Sequence, residues 1–194
     1  MKYIIVEKND PTFKHYEEDI YHLRYKVFKE QLNWDVETFN EKEIDYFDSL
    51  EKIHYILIID SESKLIGCMR LLPTVKDYML EKVFPFLVDN QIPKEENIWE
   101  LSRVAVHMDV DKTNTFNFNK ATLLLIKGIC EFSKEQKISS YVAVTTDRMQ
   151  RLVRKLKMDA TLLGTQHKIS DTNVLTLQIQ MNDQSFFAID AALV

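Results

Sequence analysis

Glycine is scarce in this sequence, which has only Gly67, Gly128 and Gly164 among its 194 residues. Loops that cradle a phosphate group usually depend on glycine, because their backbone must approach the phosphate closely. The segment 107–119, between a strand-like run and a helical run, has no glycine at all. The sequence therefore argues against a glycine-rich phosphate-binding loop at that position.

Cysteine, positive charge and long apolar runs are also limited. Cys68 and Cys130 lie in apparent secondary structure without metal-ligand spacing or a disulfide framework, and the five histidines form no HExxH-like pair, so we expect a reducing compartment and no metal site. A net charge of -5 gives no electrostatic reason to expect a nucleic-acid partner. The apolar run at the amino terminus is too short for a signal peptide, and no segment reaches the roughly 18 apolar residues of a membrane span. We therefore expect a soluble cytoplasmic protein.

Hydrophobic patterning predicts one α/β domain over residues 1–194, with a mixed central sheet and helices on both sides. A strand, helix, strand succession after residue 98 favours a parallel crossover. The predicted strands are 2–6, 53–60, 64–72, 99–106, 141–146, 162–169 and 174–181, of which the second and third form a hairpin. The predicted helices are 13–32, 78–88, 117–135 and 148–157.

The stretch Trp99–Val106 combines the pattern of a buried strand with charge, because Glu100 and Arg103 lie within it. Burying either group is costly unless it finds a partner. The two side chains therefore either pair with each other, lie on a solvated edge, or line a polar pocket. Their separation is odd, and side chains alternate across a strand, so serving one pocket would require a bulge or splay between them.

Other charged and aromatic residues have both ordinary and functional interpretations. Arg24 and Phe28 are four apart on a predicted helix and project together, although a solvated charge and a core ring would explain them equally simply. The acidic, loop-like run 41–48 contains a pair of aspartates, Asp45 and Asp48, that solubility alone could explain. Trp34 in a polar loop is harder to explain, because a large ring there is either buried or available to a ligand.

Together these residues resemble the acyl-homoserine lactone synthases, the LuxI-type autoinducer synthases of bacterial quorum sensing. The matching segments follow the family's order and densely cover about the first 106 residues. They are Leu23-Arg24-Tyr25-Lys26-Val27-Phe28, Trp34-Asp35-Val36, Asp45-Tyr46-Phe47-Asp48, Gly67-Cys68-Met69-Arg70-Leu71-Leu72-Pro73-Thr74, Tyr78-Met79-Leu80, Val83-Phe84-Pro85 and Trp99-Glu100-Leu101-Ser102-Arg103.

The resemblance implies a fold of the GCN5-related N-acetyltransferase type, a three-layer αβα sandwich with a splayed strand near 99–106. It implies a reaction between S-adenosylmethionine and acyl-acyl carrier protein, giving an N-acyl-homoserine lactone, methylthioadenosine and free carrier protein, with no further cofactor. Glu100 is then the general base, and Arg103 and Asp48 share the catalytic site. The implied S-adenosylmethionine-binding residues are Arg24, Phe28, Trp34, Asp45, Arg70 and Arg103.

The resemblance weakens toward the carboxyl terminus. Val104, in place of the family's usual aromatic residue, and the strand-end residues Thr145 and Thr146 are implied to contact the acyl chain. A basic helix is implied to dock the carrier protein, although a solvated helix face would explain it nearly as well. Its docking residues would be Arg148, Arg151, Arg154 and Lys155. The glycine that commonly ends this helix is missing from Lys155-Leu156-Lys157-Met158.

Two other classes of protein compete with this interpretation. An ordinary acetyl-CoA N-acetyltransferase would need a glycine-containing pyrophosphate loop, which the segment 107–119 lacks. A non-catalytic binding domain or degenerate synthase would not require Glu100 and the arginines, and only an activity assay separates it from an enzyme. Acyl-chain length and oligomeric state cannot be read from the sequence.

Overall fold

The structure is a computed structural model that describes residues 1–107, 119–169 and 171–193. The strands are β1 (Lys2–Glu7), β2 (Thr38–Phe39), β3 (Lys42–Glu43), β4 (His54–Ile59), β5 (Leu65–Pro73), β6 (Ile98–Val106), β7 (Ser140–Thr146), β8 (Ala160–Leu162), β9 (His167–Ile169) and β10 (Thr172–Gln180). The α-helices are α1 (Pro11–Arg24), α2 (Met79–Lys82), α3 (Lys120–Gln136), α4 (Asp147–Leu156) and α5 (Asp183–Leu193). A π-helix covers Tyr25–Gln31, and short 3-10 helices cover Tyr46–Ser49 and Pro85–Leu87.

The described chain divides into two compact units, and the first comprises Met1–Leu71 and Arg103–Ile129. In this unit β4 pairs antiparallel with both β1 and β5, which confirms the predicted hairpin. Helix α3 lies against β4 at Gly128, where an added Cβ would come within 2.7 Å of the Ile56 side chain. This close approach leaves no room for a larger residue at position 128.

The second unit comprises Leu72–Ser102 and Cys130–Val194. Here β6 pairs parallel with β7, as the crossover pattern predicted, and β10 pairs antiparallel with β7, β8 and β9. The prediction of one strand over 162–169 was wrong, because β8 and β9 are separate. The chain bends between them at Gly164, where an added Cβ would lie 2.4 Å from the carbonyl oxygen of Leu87.

Strand β6 is irregular at Arg103. Its parallel register with β7 runs from Ile98↔Ser140 to Glu100↔Val142. Three residues after Glu100, Arg103 takes a left-handed backbone conformation with φ 51°. Regular strands do not contain this conformation, and it is unfavourable for residues other than glycine. The predicted break between Glu100 and Arg103 is confirmed.

Several predicted helix bounds needed correction. The helix predicted over 13–32 is α-helical only to Arg24 and continues as a π-helix to Gln31. The helix predicted over 78–88 is two short pieces, since Pro85 cannot donate a helical hydrogen bond. The start of the helix predicted at 117, and most of the glycine-free segment 107–119, lie outside the described residues. Helix α5 was not predicted from the sequence.

Among the described residues, no helix combines the length and apolar character needed to cross a membrane. Within the same residues, no group of three or more histidine, cysteine or acidic side chains is arranged to hold a metal ion. Cys68 and Cys130 are both buried, and neither forms a disulfide bond.

Helix α4 ends at Lys157, where the sequence lacks the expected glycine. Lys157 itself adopts the left-handed conformation, with φ 61° and ψ 28°. Its N–H donates to Arg154 O at 3.0 Å, and the N–H of Met158 donates to Val153 O at 3.2 Å. These are the two hydrogen bonds of a Schellman motif, made here by a residue with a Cβ.

Replacing Lys157 with glycine should therefore stabilise the protein. We expect Lys157→Gly to raise the free energy of unfolding by about 1 kcal/mol, because glycine adopts the left-handed conformation without steric cost. The matched control is Lys155→Gly, which lies inside the same helix and should lower it by about 1 kcal/mol. Urea unfolding of both variants measures the difference, and equal changes would contradict this account of the helix end.

Candidate functional site

Arg24, the last residue of α1, is the centre of a buried set of ion pairs in the first unit. Its side chain is fully buried. Nη1 and Nη2 donate to Oδ1 and Oδ2 of Asp48, each at 2.8 Å, and Nε donates to Oε2 of Glu43 at 2.5 Å. A guanidinium with paired hydrogen bonds to one carboxylate has a strongly fixed orientation. Arg24 is thus held by the protein's own carboxylates.

Asp48 is the carboxylate with the most donors in this set. Besides the two bonds from Arg24, Oδ1 accepts from Arg70 Nη1 at 2.6 Å and from Tyr55 OH at 2.8 Å, and Oδ2 accepts from Asp45 N at 2.9 Å. Burial alone would raise the pKa of Asp48, but the charges of Arg24 and Arg70 and the donated hydrogen bonds outweigh it and hold the pKa well below its ordinary range. A carboxylate held ionised in this way is poorly suited to exchange protons.

The remaining members extend the set toward Arg103. Arg70 Nη1 and Nη2 donate to the two oxygens of Asp45 at 2.6 and 3.0 Å. Arg103 Nη2 lies 2.7 Å from Asp45 Oδ2, and its Nε donates to Oε1 of Glu43 at 3.0 Å. We call this set the arginine–carboxylate cluster. It consists of Arg24, Arg70, Arg103, Glu43, Asp45 and Asp48.

Only one end of the cluster reaches the surface. The side chains of Arg103 and Asp45 are 13% and 12% exposed, whereas those of Arg24, Arg70 and Glu43 are fully buried. A ligand outside the protein can therefore reach the cluster through Arg103 and Asp45. The other members hold this end in place.

Two stacked rings lie beside the exposed end. Phe28 and Trp34 have centroids 5.3 Å apart and ring planes within 9°, and the guanidinium carbon of Arg103 lies 5.7 Å from the Phe28 centroid. Phe28 is buried in the π-helix and Trp34 is half-buried. The backbone N–H of Trp34 donates to the backbone oxygen of Phe28 at 2.8 Å. Ring faces attract cations by about 0.5–2 kcal/mol. The structure brings both predicted rings to the same place as Arg103.

Glu100 lies on β6 in the second unit and is almost fully buried. Its Oε2 accepts the N–H of Met79 at 2.9 Å, and its Oε1 accepts that of Leu80 at 2.7 Å. These donors belong to the first turn of α2. These two hydrogen bonds fix the orientation of the Glu100 carboxylate.

The predicted acyl-chain residues lie on β6 and β7, in different compact units. Val104 is half-buried in the first unit, whereas Thr145 and Thr146 are half-buried at the end of β7 in the second. Adjacent strand residues point to opposite faces, so the two threonines cannot line one face together. Glu100 is registered with Val142, and therefore the face of Glu100 carries Thr146 but not Thr145.

The predicted docking helix is basic on its exposed side. Leu152, Val153 and Leu156 are its buried residues. Beside it lies a groove of about 310 Å³ that is lined in part by Arg154, Met158 and Leu162. The exposed basic residues are Arg148, Arg151, Arg154, Lys155 and Lys157.

Sequence reasoning missed Glu43 and Tyr55. Glu43 joins Arg24 to Arg103, and Tyr55 donates to Asp48 from β4. Burial and the Asp48 charge raise the pKa of Tyr55, which keeps its hydroxyl protonated as a donor. The sequence did contain a signal for Glu43. Three arginines lie in segments that are predicted to be buried or that resemble the family, and Asp45 and Asp48 alone cannot balance three buried positive charges. No comparable pattern marks Tyr55.

The chain has the fold of solved GCN5-like acyltransferases. An acyl-CoA N-acyltransferase from Pseudomonas aeruginosa shares it with a TM-score of 0.63 at 13% identity, over 92% of this chain and 99% of that one. A CoA-dependent acyl-homoserine lactone synthase, BjaI, solved with SAM and isopentyl-CoA, shares it with a TM-score of 0.83 at 22% identity, over 97% and 87% of the two chains. At these identities the likeness concerns the fold alone.

Closer comparisons identify the family. The family model described as autoinducer synthase matches residues 10–189, and the chain belongs to this family of acyltransferases. An acyl-homoserine-lactone synthase from Aliivibrio fischeri is 38% identical over 165 residues, 84% of each chain. The acyl-homoserine lactone synthase LasI is 28% identical with a TM-score of 0.84, over 99% and 96% of the two chains. TofI, solved with an inhibitor and MTA, is 27% identical with a TM-score of 0.82, over 98% and 97%.

The arginine–carboxylate cluster should make stability depend on acid pH. A carboxylate whose pKa is depressed on folding adds stability above the pKa of the unfolded chain, about 3.9 for aspartate, and loses it as the pH falls toward the folded pKa. We therefore expect the free energy of unfolding to fall below about pH 4. Asp48→Asn should be less stable at pH 7 and show a shallower dependence below pH 4.

Chemical unfolding between pH 7 and pH 3 measures this dependence. The control is Asp35→Asn, which removes the same charge from an exposed side chain and should keep the wild-type pH profile. A wild-type profile that stays flat below pH 4 would contradict the assignment of Asp48 as the dominant ionised partner.

Proposed function

We propose that this protein makes an N-acyl-homoserine lactone from S-adenosylmethionine and an acyl chain carried on acyl carrier protein. The observation that carries the proposal is the partly exposed end of the arginine–carboxylate cluster, formed by Arg103 and Asp45, beside the stacked Phe28 and Trp34 rings. A guanidinium, a carboxylate and ring faces together suit a ligand with a carboxylate, an ammonium and a sulfonium. Family membership and the TofI and BjaI complexes with MTA and SAM support this choice.

The first proposed step is amide formation. The methionyl amine loses a proton to Glu100, directly or through a water, and its nitrogen attacks the thioester carbonyl. The carbon–nitrogen bond forms, the carbon–sulfur bond of the thioester breaks, and the carrier thiol leaves with a proton. Glu100 suits the role of base because its orientation is fixed by Met79 and Leu80.

The second proposed step is ring closure. The methionyl carboxylate attacks the carbon next to the sulfonium, a carbon–oxygen bond forms, and the carbon–sulfur bond breaks with its electron pair going to sulfur. Methylthioadenosine leaves, and no cofactor takes part. Arg103 can position the carboxylate, since its guanidinium is the accessible one of the cluster. Arg24, Arg70 and Asp48 then act as supports of this site.

The donor is proposed to be a carrier protein because of helix α4, where four arginines and lysines are exposed on a protein with net charge -5. Such a local positive face attracts an acidic protein. Acyl-CoA is the second candidate, favoured by the CoA-dependent synthase that shares the fold. We also propose that both compact units belong to one synthase domain in the cytoplasm, since the family match includes parts of both.

The decisive assay gives the purified protein S-adenosylmethionine with either octanoyl-acyl carrier protein or octanoyl-CoA. Mass spectrometry should detect octanoyl-homoserine lactone and methylthioadenosine in equal amounts, and kcat/KM should favour the carrier protein. Failure to form a lactone from either donor would overturn the proposal. A preference for octanoyl-CoA would overturn only the choice of donor.

Glu100→Gln should reduce the rate of lactone formation by about 10²–10⁴-fold, the usual contribution of a general base. The amide oxygen can still accept one backbone hydrogen bond, but the amide nitrogen then faces the other N–H group, so the variant should remain folded with a lower thermal midpoint. The control is Glu100→Asp, which keeps a carboxylate and should retain more activity than the glutamine variant. A fully active Glu100→Gln variant with wild-type stability would remove Glu100 from the mechanism.

Reversing two charges on α4 should weaken use of the carrier protein. We expect Arg151→Glu with Arg154→Glu to lower kcat/KM for acyl-acyl carrier protein at least tenfold at low salt, with a smaller effect at high salt. The KM for S-adenosylmethionine should stay unchanged. Lys2→Glu with Lys52→Glu makes the same change in net charge at exposed positions of the first unit and should have little effect. Equal effects of the two pairs would show that only net charge matters.

A further inference from the structure

Tyr55 on β4 makes a buried hydrogen bond to which the proposed function gives no role. The residue is almost fully buried, and its ring packs against Phe13 with centroids 4.7 Å apart. A phenylalanine would fill the same space, so packing explains the ring and not the hydroxyl. The hydroxyl donates at 2.8 Å to Asp48, the carboxylate with the most donors in the arginine–carboxylate cluster.

The Oδ1 atom of Asp48 has more donors than it can satisfy separately. A carboxylate oxygen offers about two lone-pair sites. Oδ1 accepts from three donors, which are Arg24 Nη1 at 2.8 Å, Arg70 Nη1 at 2.6 Å and Tyr55 OH at 2.8 Å. The three donors therefore compete for one atom, and the loss of one of them strengthens the bonds from the other two.

Arg70 is the donor in this competition that also binds the partly exposed carboxylate. Its Nη1 lies 2.6 Å from Oδ1 of Asp45 as well as 2.6 Å from Oδ1 of Asp48, and its Nη2 donates to Oδ2 of Asp45 at 3.0 Å. Arg24, in contrast, is fixed on Asp48 by a second bond, from Nη2 at 2.8 Å. Competition at Oδ1 therefore decides how Arg70 divides its hydrogen bonds between the two aspartates.

The sheet of the first unit holds Tyr55 next to Arg70. The two residues are registered partners in the antiparallel pair β4 and β5, so their side chains project from the same face. Both are buried. Removing the hydroxyl would leave a space smaller than a water molecule, so solvent could not replace it as a donor.

We propose that Tyr55 is a positioning residue for S-adenosylmethionine. Its hydroxyl occupies Oδ1 of Asp48 and so keeps Arg70 on Asp45, which is thereby oriented to bind a positively charged group of the ligand. This inference rests on the proposed function, because it takes the exposed end of the cluster as the ligand site. The Glu100 carboxylate is oriented separately, by the N–H groups of Met79 and Leu80. Tyr55 therefore affects the binding of S-adenosylmethionine and not the chemical steps.

The test is Tyr55→Phe, which removes only the hydroxyl and keeps the ring that packs on Phe13. We expect KM for S-adenosylmethionine to rise about five- to tenfold, while kcat and KM for octanoyl-acyl carrier protein stay within about twofold of wild type. Calorimetric titration with S-adenosylmethionine alone should show the same loss of affinity. The matched control is Tyr16→Phe, which removes the hydroxyl of another buried tyrosine of the first unit, bonded to Ser63 O at 3.2 Å, and should leave both KM values unchanged.

A double-mutant cycle separates positioning from a purely structural role. Asp45→Asn removes the carboxylate through which Tyr55 acts, so adding Tyr55→Phe to it should cause no further loss of affinity for S-adenosylmethionine. Additive losses would overturn the inference, and so would a Tyr55→Phe variant with wild-type affinity or a Tyr16→Phe variant with an equal loss. These outcomes leave the synthase function intact. If wild type neither binds S-adenosylmethionine nor forms a lactone, the proposed function fails and this inference fails with it.

Discussion

The structure of the first unit depends on the burial of two complete guanidinium groups. Moving an ionised group out of water is expensive, and only closely matched charges and hydrogen bonds compensate for it. Arg24 and Arg70 are compensated by carboxylates from the short segment 43–48, which joins them to Arg103 on β6. Removal of any one partner would leave an unbalanced charge in the interior, so these segments must form their structure together.

The buried and the partly exposed members of the arginine–carboxylate cluster have different roles. The deeply buried pairs fix positions, while the partly exposed Arg103 and Asp45 remain able to meet a ligand. The stacked rings of Phe28 and Trp34 extend the same end with apolar surface. Glu100 is fixed by a separate device, the backbone N–H groups at the start of α2. Glu100 and Arg103, both on β6, are thus oriented by separate sets of hydrogen bonds.

The sequence predicted the sheet better than it predicted helix ends and turns. Runs of β-branched and apolar residues marked the hairpin of β4 and β5 and the parallel pair β6 and β7, because burial imposes their periodicity. The change from α-helix to π-helix after Arg24 left no periodic signal. The separation of β8 from β9 depends on a close approach between Gly164 and Leu87, which are distant in the chain. Contacts of that kind are set by packing and not by local pattern.

The same reasoning explains which site residues could be found in advance. Charges inside apolar segments, such as Glu100 and Arg103, are visible in the sequence because they contradict their surroundings. Glu43 and Tyr55 do not stand out, because Glu43 lies in an acidic run and Tyr55 in a strand that suits an aromatic residue. Only the folded chain shows which residues they bind. The remaining site residues, such as Arg24, Phe28 and Trp34, were assigned to one site only through the resemblance to a family, because their spacing in the sequence does not show that they lie together.

The left-handed backbone of Arg103 has a consequence for how this strand can change in evolution or by design. Arg103 interrupts the regular strand conformation, and its guanidinium also binds Glu43 and Asp45. Inserting or deleting a single residue between Glu100 and Arg103 would move one of the two side chains to the opposite face of the sheet. It would also shift the left-handed residue away from its partners Glu43 and Asp45. The interval of three residues should therefore tolerate neither an insertion nor a deletion.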